Sequence, residues 1–168
     1  MGKLELVQNQ LWDSMRSSEP LPEILEANPI LRDNVVNLLA DRLVLFKPSA
    51  VIALPEKSAK FAEELSMELG CMLIETKFGR TEESKNLLSY RTEANRMTAT
   101  RSIGRIIILD TVFKSKTNVL KANSLPGIRD NVMAVATVWK TSPPERRHRL
   151  PFENFITLIE GNPPSRQK

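Results

Sequence analysis

Residues 105–118 read RIIILDTVFKSKTN and contain the strongest strand signal in the chain, together with the turn that follows it. The apolar run at residues 106–109 is typical of a buried strand in a parallel sheet. The run ends at an acidic residue, Asp110, and a short polar loop then leads into a predicted helix. Because backbone N–H groups at the start of a helix point towards a bound anion, this pattern favours a phosphate-binding turn. An ordinary capped turn between a strand and a helix fits the same spacing.

The side chains of the turn suit a sugar phosphate. The loop offers two cations and three hydrogen-bond donors: Lys114, Lys116, Ser115, Thr117 and Asn118. Asp110, at the tip of the strand, is placed to accept hydrogen bonds from sugar hydroxyls or to hold a magnesium ion. Neither GxxxxGK followed by Ser or Thr nor GxGxxG occurs in the chain, so the P-loop and the dinucleotide-binding fingerprint are both excluded.

Strands and helices alternate along the rest of the chain. Apolar runs predict further strands at residues 50–54, 71–74, 132–139 and 155–159. Helical spacing predicts helices at residues 29–42, 58–69 and 119–125, the first of them capped by Asn28. This alternation predicts an α/β domain with a mainly parallel sheet, in which ligands bind outside the carboxyl ends of the strands. Within the strand at 132–139, Val138 and Trp139 are expected to face opposite sides of the sheet.

The length of 168 residues fits a single domain that spans residues 1–168. Residues 1–27 are expected to form a helical amino-terminal extension, and residues 161–168 a tail. Residues 78–102 are polar and weakly periodic, and a stretch of this length is often a mobile loop with a function. The chain contains no internal repeat and no low-complexity tract.

Composition places the chain among soluble globular proteins, with 41% hydrophobic and 26% charged residues. No apolar run reaches the roughly 18 residues of a membrane span, and the amino terminus lacks the order of a signal peptide. A cytoplasmic protein that does not use a membrane is therefore expected. A single cysteine, Cys71, and a single histidine exclude an internal disulfide and a Cys/His zinc site. Cys71 is expected to be a small buried hydrophobic residue.

The formal net charge of +4 permits an anionic partner. Basic residues concentrate between residues 75 and 105 and again at residues 146–149. These clusters suit a nucleic-acid backbone, but a solvated surface has the same composition. Aromatic residues make up only 5% of the chain, too few for a platform on which single strands stack.

The turn after the central strand resembles the signature of the type I phosphoribosyltransferases. In that signature, four apolar residues precede two acids, two apolar residues and a loop rich in threonine and glycine. The resemblance covers most of residues 29–160. It implies a phosphoribosyltransferase-like, Rossmann-like fold, with a parallel sheet flanked by helices and a small hood built from the termini. It also implies an activity that joins ribose 5-phosphate from phosphoribosyl pyrophosphate (PRPP) to a nucleobase with the help of Mg²⁺.

The resemblance implies roles for residues on both sides of the turn. Three residues after the first strand would bind pyrophosphate: Glu56, Lys57 and Ser58. Lys77 stands where orotate-type members carry a lysine, so Asp110 and Lys77 are the candidate catalytic residues. In 6-oxopurine members a lysine contacts the purine oxygen and a later aromatic ring stacks on the base, and the matching residues are Lys140 and Phe155. A solvated lysine and a core phenylalanine would also fit these two positions.

The signature is incomplete in this chain. Thr111 replaces its second acid, and Lys114 stands where Asp or Thr is common. Lys116 replaces a loop glycine, and Asn118 replaces the closing threonine. A single carboxylate grips the ribose hydroxyls and magnesium more weakly. A lysine in place of glycine adds a side chain where the backbone should approach the phosphate.

Two functions therefore remain open. The first is an enzyme, a pentosyltransferase that binds PRPP or a nucleotide and transfers ribose 5-phosphate to or from a nucleobase. The second is a non-catalytic homologue that binds a nucleotide or nucleic acid as a regulator or an assembly component. A homodimer is compatible with either function.

Overall fold

The computed structural model describes residues 2–55, 60–78, 88–91, 104–125, 128, 130–141 and 154–162, without the side chains of residues 77, 78 and 88–91. The helices are α1 (Lys3–Ser14), α2 (Leu21–Ala27), α3 (Pro29–Leu43), α4 (Lys60–Leu69) and α5 (Thr117–Asn123), and a 3₁₀ turn (Val44–Phe46) follows α3. The strands are β1 (Ala50–Ala53), β2 (Met72–Phe78), β3 (Leu88–Arg91), β4 (Ile106–Leu109), β5 (Val112–Phe113), β6 (Val132–Lys140) and β7 (Phe155–Glu160).

The strands form one sheet, whose order in the described part of the chain is β3-β2-β1-β4-β6-β7. β5 continues the line of β4 along β6 in the same register. Every neighbouring pair is parallel except β2 and β3, which are antiparallel. The predicted α/β fold with a mainly parallel sheet is thus confirmed. β3 and β5 are additional strands: β3 lies within the expected loop at 78–102, most of which falls outside the described residues.

Local sequence signals explain where α3 and α4 begin and end. Asn28 Oδ1 accepts a hydrogen bond from Leu31 N at 3.1 Å, which caps α3 as the sequence predicts. α4 ends at Gly70, whose φ of 64° lies in the left-handed region that glycine adopts without strain. The predicted start of α4 at Ser58 lies outside the described residues, which resume at Lys60.

Two apolar cores lie on opposite faces of the sheet, because the side chains of β1 and β4 alternate between them. Val51, Ile107 and Leu109 enter the first core, which also contains residues of α1, α2, α3 and α4. Ile52 and Ile108 enter the second core, where they meet residues of α5. All five side chains are at most 1% exposed. Both faces of the sheet are covered, so residues on both sides of each central strand must be apolar. This is why the sequences of β1 and β4 are apolar throughout and do not alternate between apolar and polar residues.

The amino-terminal helices join the first core. Gln8 Nε2 in α1 donates a hydrogen bond to Leu158 O in β7 at 2.8 Å. The Trp12 ring meets the Trp139 ring edge-on, with centroids 6.2 Å apart. The two ends of the chain therefore meet, as a hood built from the termini requires, but α1 and α2 pack into the main core of the sheet. None of the described helices is long and apolar enough to cross a lipid bilayer.

Three threonines mark a break in the alternation of side chains near the carboxyl end of the sheet. Thr137 and Thr157 face each other on β6 and β7, and each donates its Oγ1 to the carbonyl oxygen two residues later, at 3.1 and 3.0 Å. Thr111 follows β4, and its carbonyl oxygen accepts from the N–H groups of both Val138 and Trp139, at 3.2 and 3.1 Å. Val138 and Trp139 consequently pack against the same core, so the prediction that they face opposite sides is wrong.

The break decides which side chains reach the second core. Leu109 and Val112 both contact the first core although they are three residues apart. Strict alternation from Leu109 would send Phe113 to the first core, yet Phe113 enters the second. Its neighbour in the β5–β6 ladder is Lys140, which therefore turns to the same side.

Candidate functional site

The carboxyl ends of β1 and β4 meet at the edge of the sheet where a ligand is expected. Leu54 N donates to Leu109 O at 3.1 Å, and Asp110 N donates to Ala136 O at 3.0 Å, so backbone on both sides holds the start of the turn. Asp110 is half-buried at this edge. The chain leaves β1 beside it, and the residues predicted to bind pyrophosphate fall in a part of the chain outside the described residues: Glu56, Lys57 and Ser58.

Thr111, which replaces the second acid of the signature, belongs to the interior of the protein. It is 1% exposed, and its carbonyl oxygen also accepts a hydrogen bond from Thr137 Oγ1 at 3.2 Å. A carboxylate at this position would have to leave water, which is costly without a cationic partner. The turn itself, residues 110–118, therefore offers the single carboxylate of Asp110.

The polar loop at residues 114–118 leaves its hydrogen-bond donors available. Within the described part of the chain, none of these five side chains makes a hydrogen bond or an ion pair. The backbone N–H groups of residues 114–119 likewise donate no hydrogen bond to a described residue. Residues 114, 115 and 117 are exposed, and residues 116 and 118 are half-buried. The predicted phosphate-binding residues therefore lie at the start of α5 with donors that no described residue uses.

The two residues predicted to bind a base are also brought together. Lys140 Nζ lies 5.2 Å from the centroid of the Phe155 ring, within the range of a cation–π contact. The Phe155 ring meets the Phe113 ring edge-on, with centroids 5.1 Å apart and an interplanar angle of 79°. Phe113 directly precedes the polar loop in sequence. It thereby joins the predicted base-binding pair to the predicted phosphate-binding turn.

Phe113 and Thr137 support the candidate site, although the sequence does not predict a role for either. Phe113 is 3% exposed and positions Phe155, and Thr137 is fully buried and holds the backbone of Thr111. One sequence signal for Phe113 was present, since it is the aromatic residue within the turn. Thr137 stands in an otherwise apolar run, where a hydroxyl requires a buried hydrogen-bond partner.

Thr137→Val keeps the shape of a buried side chain and removes its hydroxyl. We expect the free energy of unfolding in urea to fall by about 1 kcal/mol, because one buried hydrogen bond shared by two carbonyl oxygens is lost. The matched control is Thr157→Val, which removes the equivalent hydroxyl from a half-buried position on β7. If both variants lose the same free energy of unfolding, the hydrogen bond between Thr137 and the Thr111 carbonyl oxygen contributes nothing to stability.

Lys77 lies in β2, where its backbone pairs with Ser89 of β3. Its side chain is not among those described, so its predicted catalytic role stays a prediction. The neighbouring residue Thr76 links β2 to β1, because its Oγ1 donates a hydrogen bond to Ala53 O in β1 at 2.8 Å. β2 therefore ends next to β1, whose carboxyl end in turn adjoins Asp110.

The described residues of this edge suit a magnesium ion that is also held by a phosphorylated ligand. No group of three or more acidic, histidine or cysteine side chains that could hold a metal occurs in the described ranges. Mg²⁺ is commonly held by one or two carboxylates and by substrate phosphates, while it retains several waters. Asp110 can supply that single carboxylate.

Cys71 lies at the opposite edge of the sheet, just before the amino end of β2. It is half-buried and packs against the first core, so it is less enclosed than the sequence predicts. Burial raises the pKa of its thiol, and a hydrogen bond with the Val51 backbone only partly offsets this. A thiol with a raised pKa is a poor nucleophile, and Cys71 takes no part in the site.

Solved structures with the same architecture include an adenine phosphoribosyltransferase from Thermoanaerobacter pseudethanolicus, at a TM-score of 0.64 and 14% identity over 82% of this chain and 85% of that one. The fold is that of the type I phosphoribosyltransferases. Adenine phosphoribosyltransferase from Trypanosoma brucei, in complex with AMP, pyrophosphate and ribose-5-phosphate, matches at a TM-score of 0.60 and 12% identity. That match covers 82% of this chain and 68% of the other.

A third match is a hypothetical protein from Neisseria gonorrhoeae with bound ppGpp, at a TM-score of 0.52 and 14% identity over 77% of this chain and 78% of that one. Neither models of known protein families nor curated protein sequences give any match. The phosphoribosyltransferase-like fold is therefore adopted here by a sequence that is only 12–14% identical to these three structures. The incomplete signature at residues 110–118 agrees with that low identity.

Proposed function

We propose that this protein binds PRPP or a purine nucleotide at the turn between β4 and α5. The observation that supports this most is the run of available donors at residues 114–119, which follow Asp110 in the sequence. A phosphate there would accept hydrogen bonds from backbone N–H groups and pair with Lys114 and Lys116. Similar structures that contain AMP with pyrophosphate, or ppGpp, lend further support.

The remaining parts of a nucleotide would meet the neighbouring residues. Asp110 would accept hydrogen bonds from the ribose hydroxyls, or hold Mg²⁺ between itself and the ligand. Phe155 would stack on the base, and Lys140 would donate to an oxygen of a purine ring. The edge-on contact with Phe113 fixes the orientation of the Phe155 ring, which lowers the entropy lost on stacking.

Transfer of ribose 5-phosphate is the finer part of the proposal. In that reaction the bond from C1′ of ribose to pyrophosphate breaks, a bond from C1′ to a ring nitrogen of the base forms, and the base loses a proton. Lys57 and Lys77 would hold the pyrophosphate, with Glu56 and Ser58 beside them. Asp110 would help to hold Mg²⁺, which would supply positive charge near the pyrophosphate.

A non-catalytic nucleotide-binding protein is the second candidate. Thr111 favours the non-catalytic protein. It is a buried threonine where the signature has its second acid, so the turn lacks a second carboxylate that could stabilise a cationic C1′. Lys116 adds a flexible cation where a glycine would let the backbone approach the phosphate. The basic cluster at residues 146–149 lies outside the described residues, so binding of nucleic acid and formation of a homodimer stay predictions.

Ligand binding is tested by thermal unfolding with Mg²⁺ and, in separate samples, PRPP, AMP or ppGpp. We expect at least one ligand to raise the melting temperature, since a concentration of 100 times Kd stabilises a protein by about 2.7 kcal/mol. Lys116→Glu and Asp110→Asn should each raise the Kd of that ligand about 10–100-fold, because each removes a charged contact with it. The matched control is Lys121→Glu, which makes the same charge change at the far end of α5.

The control separates a local contact from the net charge of the protein. If Lys121→Glu weakens binding as much as Lys116→Glu, the turn is not the binding site. No shift with any ligand at millimolar concentration would contradict the proposed function. Release of pyrophosphate from PRPP in the presence of adenine, guanine or hypoxanthine would identify the enzyme, and binding without release would identify the non-catalytic protein.

A further inference from the structure

Two residues of opposite charge end the neighbouring strands β6 and β7, at the carboxyl edge of the sheet. Lys140 is the last residue of β6, and Glu160 is the last residue of β7. The two are Cα partners in the parallel register of these strands. Neighbouring strands lie about 5 Å apart, so the two side chains begin side by side. This edge is also where ligands of open α/β sheets bind.

Both side chains lie on the face of the sheet that carries Phe155. Trp139 and Ile159, the residues just before them, pack against the first core. Because successive side chains of a strand point to opposite faces, Lys140 and Glu160 turn to the side of the second core. Phe155 packs against that core, and Lys140 Nζ lies 5.2 Å from the centroid of its ring. A cation, a carboxylate and an aromatic ring therefore share one face.

Hydrogen bonds hold the backbone beside Glu160. Gly161 N donates to Lys140 O at 2.9 Å, and Gly161 O accepts from Trp139 Nε1 at 2.8 Å. The φ of Gly161 is 85°, in the left-handed region that glycine adopts readily, and β7 ends just before it. Glu160 consequently has a fixed place relative to Lys140.

The charged groups of Lys140 and Glu160 are available to a ligand. Within the described part of the chain, neither side chain forms an ion pair or a hydrogen bond, and the Glu160 side chain is exposed. Lysine offers only hydrogen-bond donors, and an ionised glutamate offers only acceptors. A carboxylate repels the phosphate of a nucleotide. Glu160 therefore favours binding only where the ligand presents N–H groups to it.

We propose that Glu160 selects guanine as the base of the bound nucleotide, an inference that rests on the proposed function. One edge of guanine carries an acceptor, O6, and next to it two donors, N1–H and the N2 amino group. The Glu160 carboxylate would accept from both donors while Lys140 donates to O6. The base would stack on Phe155 in place of the ammonium group, which the flexible lysine side chain can carry to the edge of the base.

Other purines fit this pair of residues less well. Hypoxanthine has O6 and N1–H but lacks the N2 amino group, so one hydrogen bond is lost. Xanthine places an oxygen, O2, against the Glu160 carboxylate, and two acceptors repel each other. Adenine has an amino group in place of O6, and Lys140 has no acceptor for it. The expected order of affinity is GMP, then IMP, and then XMP and AMP.

The test is isothermal titration calorimetry of the full chain with Mg²⁺ and each of these four nucleotides. We expect the Kd of GMP to be at least tenfold below those of AMP and XMP, because one hydrogen bond to a charged group changes an affinity about tenfold or more. Glu160→Gln should raise the Kd of GMP about tenfold and lower that of XMP, because the amide can donate to O2. Since Glu160 is exposed, this substitution should leave the fold intact.

The matched control is Glu68→Gln. Glu68 is an exposed acid of α4, a helix that packs against the first core on the opposite face of the sheet. The control variant changes the net charge by the same amount as Glu160→Gln and should keep the preference for GMP over XMP. A general change in net charge cannot reverse the order of these two ligands.

Several outcomes would overturn the proposal. Equal Kd values for GMP and AMP would do so, and so would a Glu160→Gln variant that still prefers GMP over XMP as strongly as the unchanged chain. An equal loss of preference in Glu68→Gln would show an effect of charge alone. Binding of PRPP but of none of the four nucleotides would overturn the choice of guanine and leave the proposed function standing. If neither PRPP nor any nucleotide binds, the proposed function fails, and this inference fails with it.

Discussion

Replacing Phe113 with alanine is expected to lower the free energy of unfolding by about 3–5 kcal/mol, the range for truncation of a buried aromatic side chain. Phe113 is 3% exposed in the second core, and its ring meets that of Phe155 edge-on. Such an aromatic pair contributes about 0.5–1.5 kcal/mol beyond the area that it buries. The measurement is urea unfolding of both proteins, followed by fluorescence or circular dichroism.

The same variant should also lose affinity for the ligand of the candidate site. Without Phe113, the Phe155 ring has no edge-on neighbour, and the backbone before Lys114 loses its anchor in the core. Phe113→Leu is the control, because it removes the aromatic ring but keeps a large apolar side chain, so it should cost clearly less stability than Phe113→Ala. If Phe113→Leu binds ligand as poorly as Phe113→Ala, the aromatic contact itself is what matters. If both bind as well as the unchanged chain, Phe113 has no role in the site.

Arg32→Met should lower the free energy of unfolding by about 2–4 kcal/mol. The side chain makes three hydrogen bonds that join α2, α3 and α4. Methionine would fill much of the volume but leave the carbonyl oxygens of Leu25 and Glu26 and the carboxylate of Glu64 without that donor. We expect a smaller loss in the free energy of unfolding than for a fully buried ion pair, because the Glu64 side chain is 39% exposed.

Arg16→Met is the matched control for Arg32→Met. Arg16 pairs with Asp13 at 3.2 Å, but both side chains are exposed, so this pair should contribute less than about 1 kcal/mol. The comparison isolates burial, since the substitution and the change in net charge are identical. A loss in Arg32→Met no larger than that in Arg16→Met would show that the buried network contributes nothing to stability.

The sequence predicts most of the sheet, because its signals are local. Four consecutive apolar residues at 106–109, followed by a polar turn, are typical of a strand covered on both faces, and the structure has β4 there. Asn28 followed by Pro29 is a helix start that needs no tertiary contact, and α3 begins there. Lys114, Ser115 and Thr117 are likewise exposed, because lysine and hydroxyl side chains favour water.

Features that depend on several segments at once escape such reasoning. Thr111 is buried because Thr137, Val138 and Trp139 bind its carbonyl oxygen from another strand. The same contacts turn Trp139 to the side of Val138, which strict alternation forbids. β3 has only four residues, of which Ser89 and Arg91 are polar, and it forms where the edge of β2 is available for pairing.

The two helical layers of the sheet differ in extent, and this has a consequence for the lifetime of the protein. α5 contains seven residues, too few for a helix to persist alone in water, and it is held by Val119 and Ala122 in the second core. Under the proposed function, a nucleotide bound at Asp110 and the start of α5 would add its binding free energy to that side of the molecule. Proteases cleave the locally opened chain, so a cell that is depleted of the nucleotide would degrade this protein faster. Its abundance would then follow the supply of its own ligand.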